Sequence, residues 1–108
     1  MNTHDFEMRI SAQHPAFAGH FPGNPVLPGA MLLSLLLQTV MERPALASVV
    51  GPAPQIDQVK FLAPVGPGQL LHGRIAAEGG GLNFELHCAG RPVLRGRLSP
   101  AALKATAP

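Results

Sequence analysis

Between Ala30 and Leu37 the chain reads Ala-Met-Leu-Leu-Ser-Leu-Leu-Leu, and only Ser34 is polar. Leu, Met and Ala are strong helix formers. Pro28 suits an opening helical turn and Pro44 stops a helix, so the spacing predicts one helix between them. A helix that is apolar all round is buried all round. In a chain of 108 residues, one domain's worth, such burial requires a sheet curled about the helix.

The remaining pattern supplies that sheet. Phe6 to Ala12, Gln55 to Ala63, Leu70 to Ala77, Leu82 to Ala89 and Val93 to Leu98 read as strands. The cleanest alternation sets Leu82, Phe84, Leu86 and Cys88 on one face, with Asn83, Glu85 and His87 on the other. The alternation of Ile56, Val59 and Phe61 against Asp57 and Lys60 is imperfect. Glu78 to Gly81 is a hairpin turn, Gly90 to Pro92 a second turn, and Pro64 to Gly68 a turn or bulge. Ala45 to Pro54 reads as a loop, with or without a short turn in it, and the Ala-rich Ser99 to Pro108 as a fraying end. The order β, loop, α and then four meandering strands predicts an α+β domain, one antiparallel sheet around one helix.

Gln13 to Gly29 is dense in proline and glycine, which forbids regular structure; a long loop in a small domain is usually functional. Hydrophobic residues make up 46% of the chain and charged residues 13%, which excludes disorder and favours an oligomer that covers apolar surface. A single cysteine, Cys88, excludes a disulfide framework and reads as a buried, inert thiol. The histidines show no metal-ligand spacing. The basic residues are scattered and there is no Trp or Tyr, which argues against nucleic acid; only Arg91, Arg95 and Arg97 come close together, as a solvated strand face or a contact for an acidic protein. The start carries Asp5 and Glu7 and lacks a signal core, and the apolar stretch from Ala30 to Val40 is far below the ~18 residues of a membrane span. The expectation is a cytoplasmic protein with no membrane span.

The run Gly19-His20-Phe21-Pro22-Gly23-Asn24-Pro25-Val26-Leu27-Pro28-Gly29 resembles the signature of the β-hydroxyacyl-acyl carrier protein dehydratases, a hot-dog-fold family. Ile56 to Gly68 is similar to the family's strand-then-Pro-Gly segment. Against the family pattern the chain reads as short, trimmed between helix and second strand and at its N-terminus. The resemblance implies a hot-dog homodimer with sheets joined edge to edge and two sites, each built from both chains. It implies a 3-hydroxyacyl thioester substrate, linked to acyl carrier protein or coenzyme A, that loses water to become the trans-2-enoyl thioester. No cofactor or metal is implied.

That reaction needs a base for the α-proton, a donor for the charge on the thioester oxygen, and an acid for the departing hydroxyl. His20 matches the family's catalytic histidine, and imidazole titrates where a proton shuttle works; a loop histidine satisfied by backbone is the plain alternative. Gly29 matches the glycine whose N–H receives the thioester oxygen, and it also serves as an ordinary helix start. The family places Glu or Asp fourteen residues after the histidine; here that position is Ser34, a poor general acid. Gln38 matches a glutamine common in the family, and Phe21, Pro28, Leu33 and Gln38 are the expected substrate contacts. Met31, Leu32, Leu35 or Leu36 are candidates to line an acyl tunnel. Four functions remain open: dehydration with His20 making both proton transfers, a heterodimer with an acid-bearing hot-dog subunit, non-catalytic binding of acyl chains or carrier protein, and thioester hydrolysis.

Overall fold

A computed structural model of the chain describes residues 3–11 and 29–101. Its elements run β1 (Thr3–Arg9), α1 (Gly29–Met41), α2 (Pro44–Val50), β2 (Pro54–Phe61), β3 (Leu70–Glu78), β4 (Gly81–Cys88) and β5 (Arg91–Pro100). The strands form one antiparallel sheet in the order β1-β3-β4-β5-β2.

The expected meander holds for β3, β4 and β5 and fails for β2. That strand lies at the far edge beside β5, not beside β3. Pro64 and Pro67 cannot donate to a ladder, so the segment between β2 and β3 crosses the end of the sheet. Leu62 N–H donates to the Val93 carbonyl at 2.9 Å, Val65 is buried, and Gly68 N–H donates to the Ile10 carbonyl at 2.7 Å. The crossing therefore begins against β5 and ends against the tail of β1.

The irregular pattern of β2 is a β-bulge. Ile56 pairs with Leu98 and Gln58 with Arg97, so Asp57 is the extra residue. Ile56, Val59 and Phe61 then face the core side, opposite Leu98, Gly96 and Leu94, while Gln58 and Lys60 face outward with Arg97 and Arg95. The hairpin between β3 and β4 is tight, with Gly79 and Gly80 both at positive φ (59° and 81°). On β4 the alternation is as expected: Leu82, Phe84, Leu86 and Cys88 are buried.

The helical region departs from expectation twice. Pro44 does not merely end a helix; it opens α2, which replaces the expected loop. A residue before proline is pushed into extended backbone, and Arg43 sits at φ −115°, ψ 107°. α1 therefore stops, and α2 leaves at 107° to it. Neither helix is long and apolar enough to cross a membrane. The second departure is burial. In the single chain α1 buries one stripe, Leu32, Leu36 and Val40, against the sheet. Met31, Leu33, Leu35 and Leu37 are half-buried, and Ala30, Ser34, Gln38 and Met41 are exposed. A single five-stranded sheet covers one side of a helix, so all-round apolarity leaves a flank to be covered by something else. Leu46 and Val50 of α2 join the same core. Each such fully buried aliphatic side chain contributes about 1.5–3 kcal/mol.

Candidate active site

Gly29 is the first residue of α1, where backbone N–H groups have no intrahelical partner and the helix dipole is positive. The Phe61 ring lies against it. A Cβ built on Gly29 would sit 2.7 Å from Phe61 Cδ1, so the ring fills the space of a side chain at that position. Phe61 is the last residue of β2 and stays 51% exposed, so the start of α1 carries an open aromatic wall. The sequence gives no sign of this contact, because the two residues are far apart in the chain and each fits its own local pattern.

Along α1 the exposed positions Ala30, Ser34 and Gln38 form a single stripe at four-residue spacing, and Glu42 follows just beyond the helix. Among the described residues the Ser34 hydroxyl has no hydrogen-bond partner. Gln38 Nε2 donates to Glu42 Oε2 at 3.2 Å, which turns the amide toward the C-terminal end of the helix. Glu42, the carboxylate nearest Ser34 on that stripe, lies about 12 Å away by helix rise and is tied to Gln38.

Of the candidate tunnel residues, Leu32 and Leu36 are core at 3% and 0% exposure. Met31 and Leu35 keep accessible surface, as does Leu33. His20, Phe21 and Pro28 lie outside the described residues. The structure thus places Gly29, Leu33, Ser34 and Gln38 on one helix, and adds Phe61 from the edge strand.

Two hollows lie elsewhere, on the sheet face turned away from α1. One of about 530 Å³ is lined by Glu7, His72, Arg74, Glu85 and His87; a second of about 320 Å³ by Gln58, Asn83, Glu85, Arg95 and Arg97. Strand alternation makes these the outward-facing positions of the sheet, and they are filled by their own pairings. Arg74 Nε donates to Asp5 Oδ1 at 2.8 Å, a contact that lowers the Asp5 pKa and raises that of Arg74. His72 Nδ1 stands 3.3 Å from Glu7 Oε2. Arg97 donates to Asn83 Oδ1 at 2.9 Å and to the Glu78 and Gly79 carbonyls at 2.9 and 3.1 Å, so it braces the hairpin. Exposed ion pairs of this kind contribute little to stability. Cys88 is buried, as expected. Among the described residues, no group of three or more His, Cys, Asp or Glu side chains is placed to hold a metal ion.

Known proteins give the arrangement its context. The model of the ApeI-like family, described as ApeI dehydratase, matches residues 1–97. A 3-hydroxyacyl-[acyl-carrier-protein] dehydratase FabZ of Symbiobacterium thermophilum is 38% identical over 66 residues, 57% of this chain and 46% of that protein. A FabZ of Geobacter metallireducens is 31% identical over 105 residues, 90% of this chain and 69% of that one. The chain spans about half the length of most of the curated relatives it matches. Among solved structures, the dehydratase heterocomplex ApeI:P from Xenorhabdus doucetiae has a TM-score of 0.73 at 23% identity, covering 90% of this chain and 85% of that one. An N-terminal dehydratase from the difficidin assembly line has a TM-score of 0.72 at 19% identity, covering 96% and 40%. These likenesses establish the hot-dog α+β fold, here with the second helix α2. By the extent of the family match, the chain belongs to the ApeI-like dehydratase family.

Proposed function

We propose that this chain removes water from a 3-hydroxyacyl thioester carried on acyl carrier protein or coenzyme A, in the cytoplasm and without cofactor. His20 takes the α-proton as the Gly29 N–H receives the charge that builds on the thioester oxygen. The same imidazole then returns a proton to the β-hydroxyl, which leaves as water and yields the trans-2-enoyl thioester. Phe21, Pro28, Leu33 and Gln38 hold the substrate. The observation that carries this proposal is the start of α1: Gly29 opens the helix beside the exposed Phe61 ring, with Ser34 and Gln38 turned outward along the same helix. A preorganised N–H aimed at developing charge is worth about 3–4 kcal/mol of barrier.

Two copies of the chain are the proposed working unit, because the half-exposed flank of α1 needs cover and each site draws on both chains. A second reading follows from Ser34: a different hot-dog subunit that brings a carboxylate completes the site with this chain's His20. Non-catalytic binding and thioester hydrolysis are the remaining alternatives.

The deciding measurement is enoyl absorbance during turnover of a 3-hydroxyacyl pantetheine thioester by the purified chain. His20→Ala is expected to lose about 10²–10⁴-fold in rate, and Ser34→Glu to gain by restoring the acid. An inert wild type together with an inert Ser34→Glu variant overturns dehydration by this chain alone and favours the binding function. Activity that appears only on adding an acid-bearing subunit selects the heterodimer.

A further inference from the structure

We propose that His72 and His87 together hold a divalent transition-metal ion on the outer face of the sheet, with Glu7 orienting the His72 ring. The sheet stands between this face and α1, so the site is separate from the thioester chemistry and the ion takes no part in it.

The hairpin brings the two imidazoles together. His72 on β3 and His87 on β4 stand the same distance from the Gly79-Gly80 turn, and the register opposes them directly. Opposed residues share a face, and their Cβ atoms are about 4.5–5.5 Å apart, within reach of two rings that grip one ion. On the far side of His72 its partner on β1 is Glu7, and on the far side of His87 its partner on β5 is Pro92. A row Glu7, His72, His87, Pro92 therefore crosses four strands. Proline offers His87 no polar group, and among the described residues the His87 side chain has no hydrogen-bond or ion-pair partner. Spacing along the chain conceals this pair, because the ligands are joined by strand register and not by a helical or finger-like interval.

The chemistry of the row suits a metal. Glu7 Oε2 lies 3.3 Å from His72 Nδ1. A carboxylate at that nitrogen keeps the ring proton there and leaves Nε2 free to ligate, the arrangement usual behind metal-bound histidines. Glu7 is thus an orienting group and not a third ligand, and water completes the shell. The surroundings favour a cation. Three carboxylates, of Asp5, Glu7 and Glu85, line the hollow of about 530 Å³ against one guanidinium, that of Arg74, although the whole chain carries +2. Arg74 is turned to Asp5 at 2.8 Å, and Arg9, next on β1 along this face, donates to the Gly68 carbonyl at 2.9 Å. Imidazole ligands select zinc, nickel or copper, whereas magnesium requires a shell of oxygens.

The test is calorimetric titration of the tag-free full chain with zinc chloride and, separately, with magnesium chloride. The expected result is one zinc ion per chain and no magnesium uptake. His72→Ala and His87→Ala should each abolish zinc binding, and Glu7→Gln should weaken it about tenfold or more. His4→Ala, on the core side of β1 opposite Ile75, should leave it unchanged. Circular dichroism should be the same for every variant, since His72 and Glu7 are exposed and His87 is half-exposed. No zinc uptake by the wild type overturns the site. Zinc retained by the His72→Ala/His87→Ala double variant places the ion on other histidines and overturns it too. Loss in only one of the single variants overturns the pair, and equal uptake of magnesium overturns the imidazoles as ligands. Affinity indifferent to Glu7→Gln overturns the orienting role of Glu7.

Discussion

Three of the five phenylalanines occupy space left empty by a glycine. Phe6 lies on Gly73, its cross-strand partner, and the Arg43 guanidinium stacks on its ring at 5.2 Å from the centroid. Phe84 lies on Gly96, with the Gln58 carbonyl also crowding that site, and Phe61 lies on Gly29. These glycines are therefore needed for room. Gly73→Ala and Gly96→Ala should each cost about 1–3 kcal/mol through overpacking, read from denaturant unfolding. Gly96→Ala should be the worse of the two, because backbone cannot swing aside. Unchanged midpoints would show that the rings are free to move. Gly29→Ala should disturb stability less, since Phe61 is half in solvent and can turn away. Ser34 was singled out by the family resemblance, as the residue standing where the family carries Glu or Asp. The contact between Phe61 and Gly29 was not, because nothing local to either residue records the other.

The bulge in β2 shows how a neighbouring strand completes what a strand's own pattern leaves ambiguous. The alternation around Asp57 is visibly broken in the sequence, and the extra residue is held by partners on both β2 and β5. The Asp57 carboxylate accepts from Gln55 Nε2 at 2.7 Å and from Ser99 Oγ at 2.9 Å, with Arg97 Nε 3.8 Å away. The Gln55 and Ser99 hydrogen bonds, helped by the Arg97 charge, hold the Asp57 pKa below its ordinary value. A carboxyl with a lowered folded-state pKa adds stability that is present above its unfolded value, about 3.9, and is lost as pH falls through the folded one. The Asp57 carboxyl should thus titrate by NMR below the usual aspartate range, and Ser99→Ala should move that midpoint upward. A midpoint indifferent to Ser99 would remove this account of the bulge. The short helix α2 went unread for a related reason: seven residues of Pro, Ala, Leu, Ser and Val carry too few turns to distinguish a helix from a loop.

The assembled molecule is lopsided. Its sheet buries one stripe of α1 and leaves Met41, Ile56, Phe61 and Leu62 as the exposed large apolar side chains among the described residues. A chain with 13% charged residues has little polar surface with which to hide this flank, so association is the expected remedy. Ile56→Asp should shift the light-scattering mass toward monomer while leaving the circular dichroism unchanged, since the side chain is already 42% exposed in the single chain. An unaltered mass would place the contact elsewhere.

Strand alternation, the tight glycine hairpin and the apolar helix were readable residue by residue, and with them the α+β class. Each of these depends on preferences that act within a few residues: side-chain period, propensity, and the backbone freedom of Gly and Pro. The hot-dog class and the candidate positions His20, Gly29 and Ser34 came from the resemblance of the proline-studded run to a known family. The far-edge position of β2, the turn of Pro44 into a second helix, the one-sided burial of α1 and the aromatic wall at Gly29 were settled by packing between segments distant in the chain. Those contacts compete for the same core volume, and which of them wins depends on the whole set of neighbours, which no single stretch of sequence contains.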